Sequence, residues 1–368
     1  MQGNILAVGM LPPPYSGQAL MFEWAIEALK TSFAVEVIDI QAQRNPGEAG
    51  RMSGRKLWVL ARMVGRCLAA VARRRPIDIL YYCPSGPSRI GVLKDLLLLT
   101  ILRARARTTI YHYHGTGGVA YLLTLPAFIR YWARRVYFRP DLAIRCASVE
   151  PNDAALCEAR REVILYNGIP DPGPATDAPD QSPLRFCFIG ALTEEKGIFD
   201  LVEIARLLRE HRDNFVIDLI GEGMPDEIAR LDEKIARHGL QDHVVRHGVM
   251  TGDTKFAQLA KATLFLFPTF FRAETQPLVA IEAAALGVPC VASDWRGLRS
   301  IVVDGETGRL APPRQPEKFV EAILTLLDSE GLPAMRTASR ARFLDNFTRD
   351  AFVDRLSKAF VETLGTTS

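Results

Sequence analysis

Residues 272–287 read RAETQPLVAIEAAALG, and this stretch organises the whole chain. Glu274 and Glu282 stand eight positions apart at the start of an otherwise apolar run. Pro277 suits a first helical position, where a missing N–H is harmless, and Gly287 suits the residue after the last turn. The pattern therefore predicts a short helix with its unpaired amides around Thr275, Gln276 and Leu278. Such a terminus is ready to receive an anion. Glu282 lies about one turn inside, with Leu278, Ala285 and Leu286 on its face. A carboxylate on so apolar a face either pairs with a buried cation, such as a lysine, or accepts hydroxyl hydrogens from a ligand.

Outward from that helix the chain alternates short apolar runs with amphipathic ones, the rhythm of parallel sheets in α/β domains. Strands are expected at 5–8, 35–38, 79–82, 109–112, 142–145 and 163–166 in the first half. In the second they are expected at 185–189, 215–220, 244–247, 264–268, 289–292 and 308–310. Between the halves, residues 171–183 read DPGPATDAPDQSP, a composition that suits a linker. The expected organisation is a domain over 1–170, the linker, a second domain over 184–348, and a terminal helix over 349–368. Two doubly wound domains bind ligands outside the carboxyl ends of their strands.

Composition agrees with a globular two-domain chain: 368 residues, 48% hydrophobic and 24% charged. Six scattered cysteines with no C-x-x-C suit reduced thiols in a cytoplasmic protein rather than a disulfide or zinc framework. The opening MQGNILAVGM lacks a basic stretch and reads as a buried strand, not a signal peptide. No apolar run approaches the ~18 residues needed to span a bilayer. The net charge of +3 conceals +10 over residues 1–170 (22 basic, 12 acidic) and −7 over the rest (23 basic, 30 acidic). Such asymmetry marks a binding surface.

The string FPTFFRAETQPLVAIEAAALGVPCVASD, residues 267–294, resembles the nucleotide-sugar site of family 4 retaining glycosyltransferases of the GT-B fold. The branch it looks like builds bacterial exopolysaccharides and related surface glycans. The resemblance implies two Rossmann-like domains facing across a cleft, with donor nucleotide in the second and acceptor in the first. It assigns Glu274 to the sugar hydroxyls and Glu282 to the ribose hydroxyls. It also implies that the terminal helix crosses back to the first domain.

Other motifs fall where that resemblance requires them. FIGALTEEKGIFDL (188–201) sets Gly190 after a strand and Lys196 before a helix, where a lysine can neutralise a diphosphate. The family string carries an arginine at the position of Ala191, and Arg272 is the candidate substitute for that cation. LIGEGMPDE (219–227) carries Gly221 and Gly223, either a tight strand–helix turn or a close backbone approach to a base or ribose. In the family the matching loop borders the nucleobase. Ser16-Gly17 opens a helix whose amides could meet the donor diphosphate. YHYHGTGG (111–118) puts His112 and His114 on one side of a strand. This pair by itself is compatible with a metal, but no carboxylate or cysteine cluster accompanies it in the local sequence. The resemblance favours His114 as the residue near the transferred sugar.

The chain contains no D-x-D, so a metal-independent site is expected, with no cofactor and no metal, and with phosphate charge met by lysine and helix amides. The expected partners are a UDP- or GDP-linked sugar and a glycan or lipid-linked saccharide acceptor, with no nucleic acid. Residues 51–75, RMSGRKLWVLARMVGRCLAAVARRR, place Leu57, Leu60, Ala61, Val64, Leu68 and Val71 near one stripe beside Arg55, Lys56, Arg62 and Arg66. FIRYWARRVYFR (128–139) repeats the basic and aromatic mixture. Both suit either ordinary packed helices or peripheral attachment to an anionic membrane on its cytoplasmic face. Two other readings share the architecture: a nucleotide-sugar epimerase, and a catalytically silent subunit that binds a glycan or partner enzyme. Ala191, Ser16 and Ser300 leave room for the silent subunit.

Overall fold

The structure is a computed structural model that describes residues 3–13, 15–40, 54–72, 77–175 and 182–365. The side chains of Arg55, Lys56 and Leu57 lie outside the described residues. The chain forms two compact units, residues 1–167 with 350–368, and residues 168–349.

The first unit holds strands β1 (Asn4–Gly9), β2 (Ala34–Asp39), β3 (Ile77–Tyr82), β4 (Ala106–Tyr113), β5 (Leu142–Arg145) and β6 (Glu162–Ile164). Its helices are α1 (Gly17–Lys30), α2 (Gly54–Ala72), α3 (Arg89–Leu102), α4 (Gly118–Leu123), α5 (Ala127–Val136) and α6 (Asp153–Leu156). The sheet is parallel throughout, in the order β2-β1-β3-β4-β5-β6. Apolar strands such as ILAV and ILYY are buried on both faces, as parallel sheets covered by helices require.

The second unit holds β7 (Leu184–Ile189), β8 (Phe215–Ile220), β9 (Val244–Gly248), β10 (Leu264–Phe267), β11 (Cys290–Ser293) and β12 (Gly308–Ala311). Between them run α7 (Ile198–Arg209), α8 (Pro225–Arg237), α9 (Gly252–Ala260), α10 (Leu278–Ala285), α11 (Leu298–Ile301), α12 (Pro316–Leu327) and α13 (Leu332–Asn346). Its parallel order is β12-β11-β10-β7-β8-β9. The direction of winding reverses between β7 and β10, so the ligand crevice of this unit belongs at their carboxyl ends.

Every expected strand is present, with small shifts at the ends; β6 stops at Ile164 rather than reaching 166. The first unit closes at Asn167, because Ile169 is already tied to the second: its N–H donates to Phe347 O at 2.9 Å, and Arg349 N–H donates to Ile169 O at 2.8 Å. The start of the expected linker is also anchored there. Asp171 receives both Arg340 guanidinium nitrogens at 2.7 and 2.6 Å, and Ala175 N–H donates to Leu286 O at 3.1 Å. Residues 176–181 lie outside the described residues.

The last helix, α14 (Arg349–Gly365), completes the first unit. Its buried Phe352, Leu356 and Phe360 lie on one stripe. Phe360 meets Tyr81 edge-on at 5.4 Å between ring centroids, and Phe352 stacks near His112 at 6.5 Å. Arg161 pairs with Glu362.

Helix α2 corrects the expected stripe. The buried positions are Met63, Cys67 and Ala70, while Ala61 and Leu68 are exposed. The sequence places apolar residues on more than one face, and contact with the sheet selects the face centred on Met63 and Cys67. Trp58, 62% exposed, is left outward beneath the Arg62 guanidinium, 5.7 Å from its ring.

Candidate nucleotide-sugar site

The site in the second unit is built by two loops at the β7/β10 reversal. The loop after β7 runs through Gly190 to a single 3-10 turn at Glu194–Lys196. The loop after β10 lies against it: Phe270 N–H donates to Glu195 O at 2.8 Å. Gly197, at φ +84°, packs so closely on Pro268 that a Cβ would overlap the proline carbonyl oxygen. That contact swings Lys196 across to the loop after β10.

Lys196 Nζ meets Glu274 Oε2 at 2.6 Å, although the two are 78 positions apart. The ammonium also lies over the rings of Phe271 and Phe267, at 4.9 and 5.5 Å. Thr269, fully buried, donates to the same carboxylate oxygen at 3.2 Å. Glu274 is thus a buried, oriented acceptor whose charge is balanced by the lysine. Nothing in the sequence singled out Thr269; it takes its role from its place at the end of β10.

Helix α10 starts one residue later than expected. Pro277 is its N-cap, at ψ 122°, and Leu278 is the first helical residue. The amides of Leu278 and Val279 therefore open the helix. At the other end, Gly287 N–H donates to Ala284 O at 2.9 Å and Val288 N–H to Ala283 O at 2.8 Å. That pair of bonds is a Schellman closure with Gly287 where the sequence placed it. Gln276 is held by its side chain, whose Nε2 donates to Ser300 Oγ at 3.0 Å. Ser300 in turn donates to Gly297 O at 2.6 Å, so it ties the loop to α11.

Glu282 is buried beside a cation from another helix. Lys255, from α9, donates to its Oε1 at 2.6 Å, so the carboxylate does pair with a lysine. Its Oε2 is buried with no hydrogen-bond partner. Burial pushes the Glu282 carboxyl pKa up, opposed by the Lys255 ammonium. One oxygen is balanced and the other still lacks a donor, which a ligand hydroxyl would supply. Lys255 was not legible in the sequence, since it stands 27 positions away on another helix.

The glycines near β8 have a structural reason. A Cβ on Gly221, at φ +145°, would overlap Gly190 O, and one on Gly223 would overlap Leu192 O. The two loops after β7 and β8 therefore touch backbone to backbone, which requires glycine at both positions. Arg272 is exposed on the loop after β10 and forms no ion pair among the described residues. Its neighbour Phe271 lies against the Lys196 ammonium. Ala191 is exposed beside Gly190.

In the first unit, Ser16 caps α1: its Oγ accepts from Ala19 N–H at 3.2 Å, with Gly17 as the first helical residue. His114 follows β4, and the next residues are gripped by the buried Asp153. Its carboxylate accepts N–H groups from Gly117 at 2.7 Å, Gly118 at 3.2 Å and Val119 at 3.0 Å. His112 and His114 share one side of the strand, with ring centroids 4.0 Å apart. Burial lowers the His114 pKa to about 4 and holds His112 well below its usual range. A cysteine distant in sequence joins the histidines, because the parallel register of Tyr113 with Arg145 brings Cys146 alongside. Its Sγ lies 3.7 Å from His114 Nδ1 and 3.9 Å from His112 Nε2.

Two Rossmann-like units, each a parallel sheet flanked by helices, give the chain the GT-B fold. Residues 183–329 match the family described as "Glycosyl transferases group 1", and the chain is similar to bacterial family-4-like glycosyltransferases. AmsK, the amylovoran biosynthesis glycosyltransferase of Erwinia amylovora, is 30% identical over 173 residues, 45% of this chain and 42% of that protein. The chain spans less than half the length of this and the other leading curated relatives. Among solved structures, sucrose-phosphate synthase from Thermosynechococcus elongatus matches at TM-score 0.78 and 18% identity, covering 99% of this chain and all of the other. HepE of Anabaena, in complex with UDP and glucose, matches at TM-score 0.68 and 18% identity, covering 98% of this chain and all of that one. At such identities the solved structures establish the GT-B fold.

Proposed function

We propose that this chain is a retaining, metal-independent glycosyltransferase that moves a sugar from a nucleoside-diphosphate sugar to a glycan or lipid-linked saccharide in polysaccharide biosynthesis. The observation that carries this reading is the arrangement around α10. A paired carboxylate, Glu274, stands before the helix, and a second, Glu282, stands inside it with one oxygen awaiting a donor.

The chemistry follows from charge. When the nucleoside diphosphate departs, negative charge grows on the β-phosphate and the sugar gains oxocarbenium character. The opening amides of α10 and the Lys196 ammonium would stabilise the phosphate. For Lys196 to do so it turns from Glu274 toward the diphosphate, which frees Glu274 to accept sugar hydroxyls. Glu282 Oε2 accepts ribose hydroxyls. The role of His114 near the transferred sugar rests on the family resemblance; a pKa near 4 keeps its imidazole neutral at physiological pH. The amylovoran and colanic acid glycosyltransferases among the relatives support a polysaccharide product. HepE binds UDP, which makes UDP-sugars the first donors to test.

We place the protein in the cytoplasm with peripheral attachment to an anionic membrane. Helix α5 supports this with Phe128 and Tyr131 exposed at 72% and 62% beside Arg130, Arg134 and Arg135. No described helix is long and apolar enough to cross a membrane.

The deciding experiment is a thermal-shift screen of UDP- and GDP-sugars followed by a transfer assay in EDTA. The expected result is stabilisation by one donor class and turnover that survives chelation. Donor binding without turnover or donor hydrolysis would favour the silent subunit, for which the exposed Ala191 is the supporting observation.

A further inference from the structure

We propose that His112, His114 and Cys146 form a binding site for a zinc-class divalent cation, separate from the diphosphate chemistry of the second unit. Three ligand atoms converge there: all lie within 4.8 Å of one another. His112 turns Nε2 toward Cys146 Sγ at 3.9 Å, and His114 turns Nδ1 toward it at 3.7 Å. In a tetrahedral zinc site with one thiolate and two imidazoles, the sulfur–nitrogen edge is about 3.5 Å. The two sulfur–nitrogen edges therefore need a contraction of a few tenths of an ångström, and the nitrogen–nitrogen edge, within 4.8 Å here, closes toward about 3.4 Å.

The surroundings suit a metal in two further ways. Tyr81 Oη lies 2.7 Å from His112 Nδ1, an outer hydrogen bond that fixes the ring and directs Nε2 inward. His112 and Cys146 are buried and His114 is largely so, which shields the three ligand atoms from bulk water. The position is set by rigid parts: β4 carries both histidines to its end, and the neighbouring β5 delivers Cys146 in register. Two imidazoles and a thiolate select zinc or cobalt over magnesium or calcium, which take oxygen ligands. Three protein ligands leave a fourth position for water or a substrate oxygen.

Binding is a proton-for-metal exchange. The Cys146 S–H bond, now donating to Tyr113 O at 3.3 Å, breaks as the sulfur–metal bond forms. The proton leaves to solvent, and nothing is oxidised or reduced.

The test is titration of the 368-residue chain, purified metal-free, with cobalt(II). The expected spectrum shows a thiolate-to-cobalt charge-transfer band and tetrahedral visible bands that saturate at one ion per chain. Zinc should displace them, and calorimetry in buffers of different ionisation enthalpy should count about one proton released. Cys146→Ser should abolish the charge-transfer band, and Cys290→Ser, in the second unit, should keep it. His114→Gln gives a second ligand deletion that leaves the thiol in place. Tyr81→Phe should weaken binding by roughly 10–100-fold, the effect of losing an outer-shell partner. Absence of the band in the parent protein, or its persistence in folded Cys146→Ser, overturns the site. These readouts need no turnover, so they stand or fall apart from the transferase reading. If transfer is confirmed, zinc should inhibit it and chelation should restore it.

Discussion

Replacing Lys255 by Met tests the second carboxylate most directly. In the parent protein the Lys255 ammonium lies 2.6 Å from Glu282 Oε1, with side chains only 17% and 9% exposed. Deleting the cation leaves a carboxylate in an apolar site whose other oxygen already lacks a donor. Breaking a buried pair this way costs about 3–5 kcal/mol if the survivor stays charged. Burial already raises the Glu282 pKa, and without Lys255 it rises further, so protonation should limit the loss to about 3 kcal/mol. Glu282→Gln should be milder, about 1 kcal/mol, because an amide oxygen still accepts from the lysine and the ammonium can reach water. The double variant should lose less than the sum, with a coupling of about 2 kcal/mol. Urea unfolding and hydrogen exchange of the α10 amides would measure this. The pH dependence has a definite sign. A carboxyl whose folded pKa is raised contributes stability that is present below its unfolded value of 4.5 and is lost as pH rises through the folded pKa. The Lys255→Met deficit should therefore shrink as pH falls toward 4.5. A pH-independent deficit, or strictly additive single variants, would refute the coupling.

Three further outcomes are expected. Glu282→Gln should weaken nucleotide binding by ~1–3 kcal/mol in calorimetry, whereas Glu274→Ala should lower turnover more than nucleoside-diphosphate affinity; parental transfer rates in both would remove these residues from the site. The first unit should lose stability as pH falls from 6.5 toward about 4, because His114 is buried neutral and must be protonated on unfolding, and His114→Gln should flatten that acid limb in thermal unfolding scans. Changing Arg62, Arg130, Arg134 and Arg135 to Gln should reduce co-sedimentation with anionic vesicles and its salt sensitivity while leaving nucleotide affinity intact, each basic residue contributing on the order of 1 kcal/mol; equal binding to neutral vesicles, or none at low salt, would refute the membrane surface.

The sequence by itself determined the elements and their class. Runs such as FVIDLI and LFLF, set between turn residues in an alternating β/α rhythm, read as buried strands, and Ser16 and Gly287 cap helices by local chemistry that needs no partner elsewhere in the chain. The end of α10 was legible for that reason, and its start was missed by one residue because proline serves as cap or first residue equally well. The tertiary structure alone decided which charges meet. Lys196 reaches Glu274 because Gly197 lets one loop lie on Pro268, and Lys255 reaches Glu282 because α9 packs beside α10. It also decided that the Gly190, Gly221 and Gly223 loops touch each other, that Arg272 faces outward, and that Cys146 joins the histidines. Periodicity reports which face of an element is apolar, but it carries no information on register between strands distant in sequence. That register places Cys146 beside His114, and loop packing places a lysine against each glutamate.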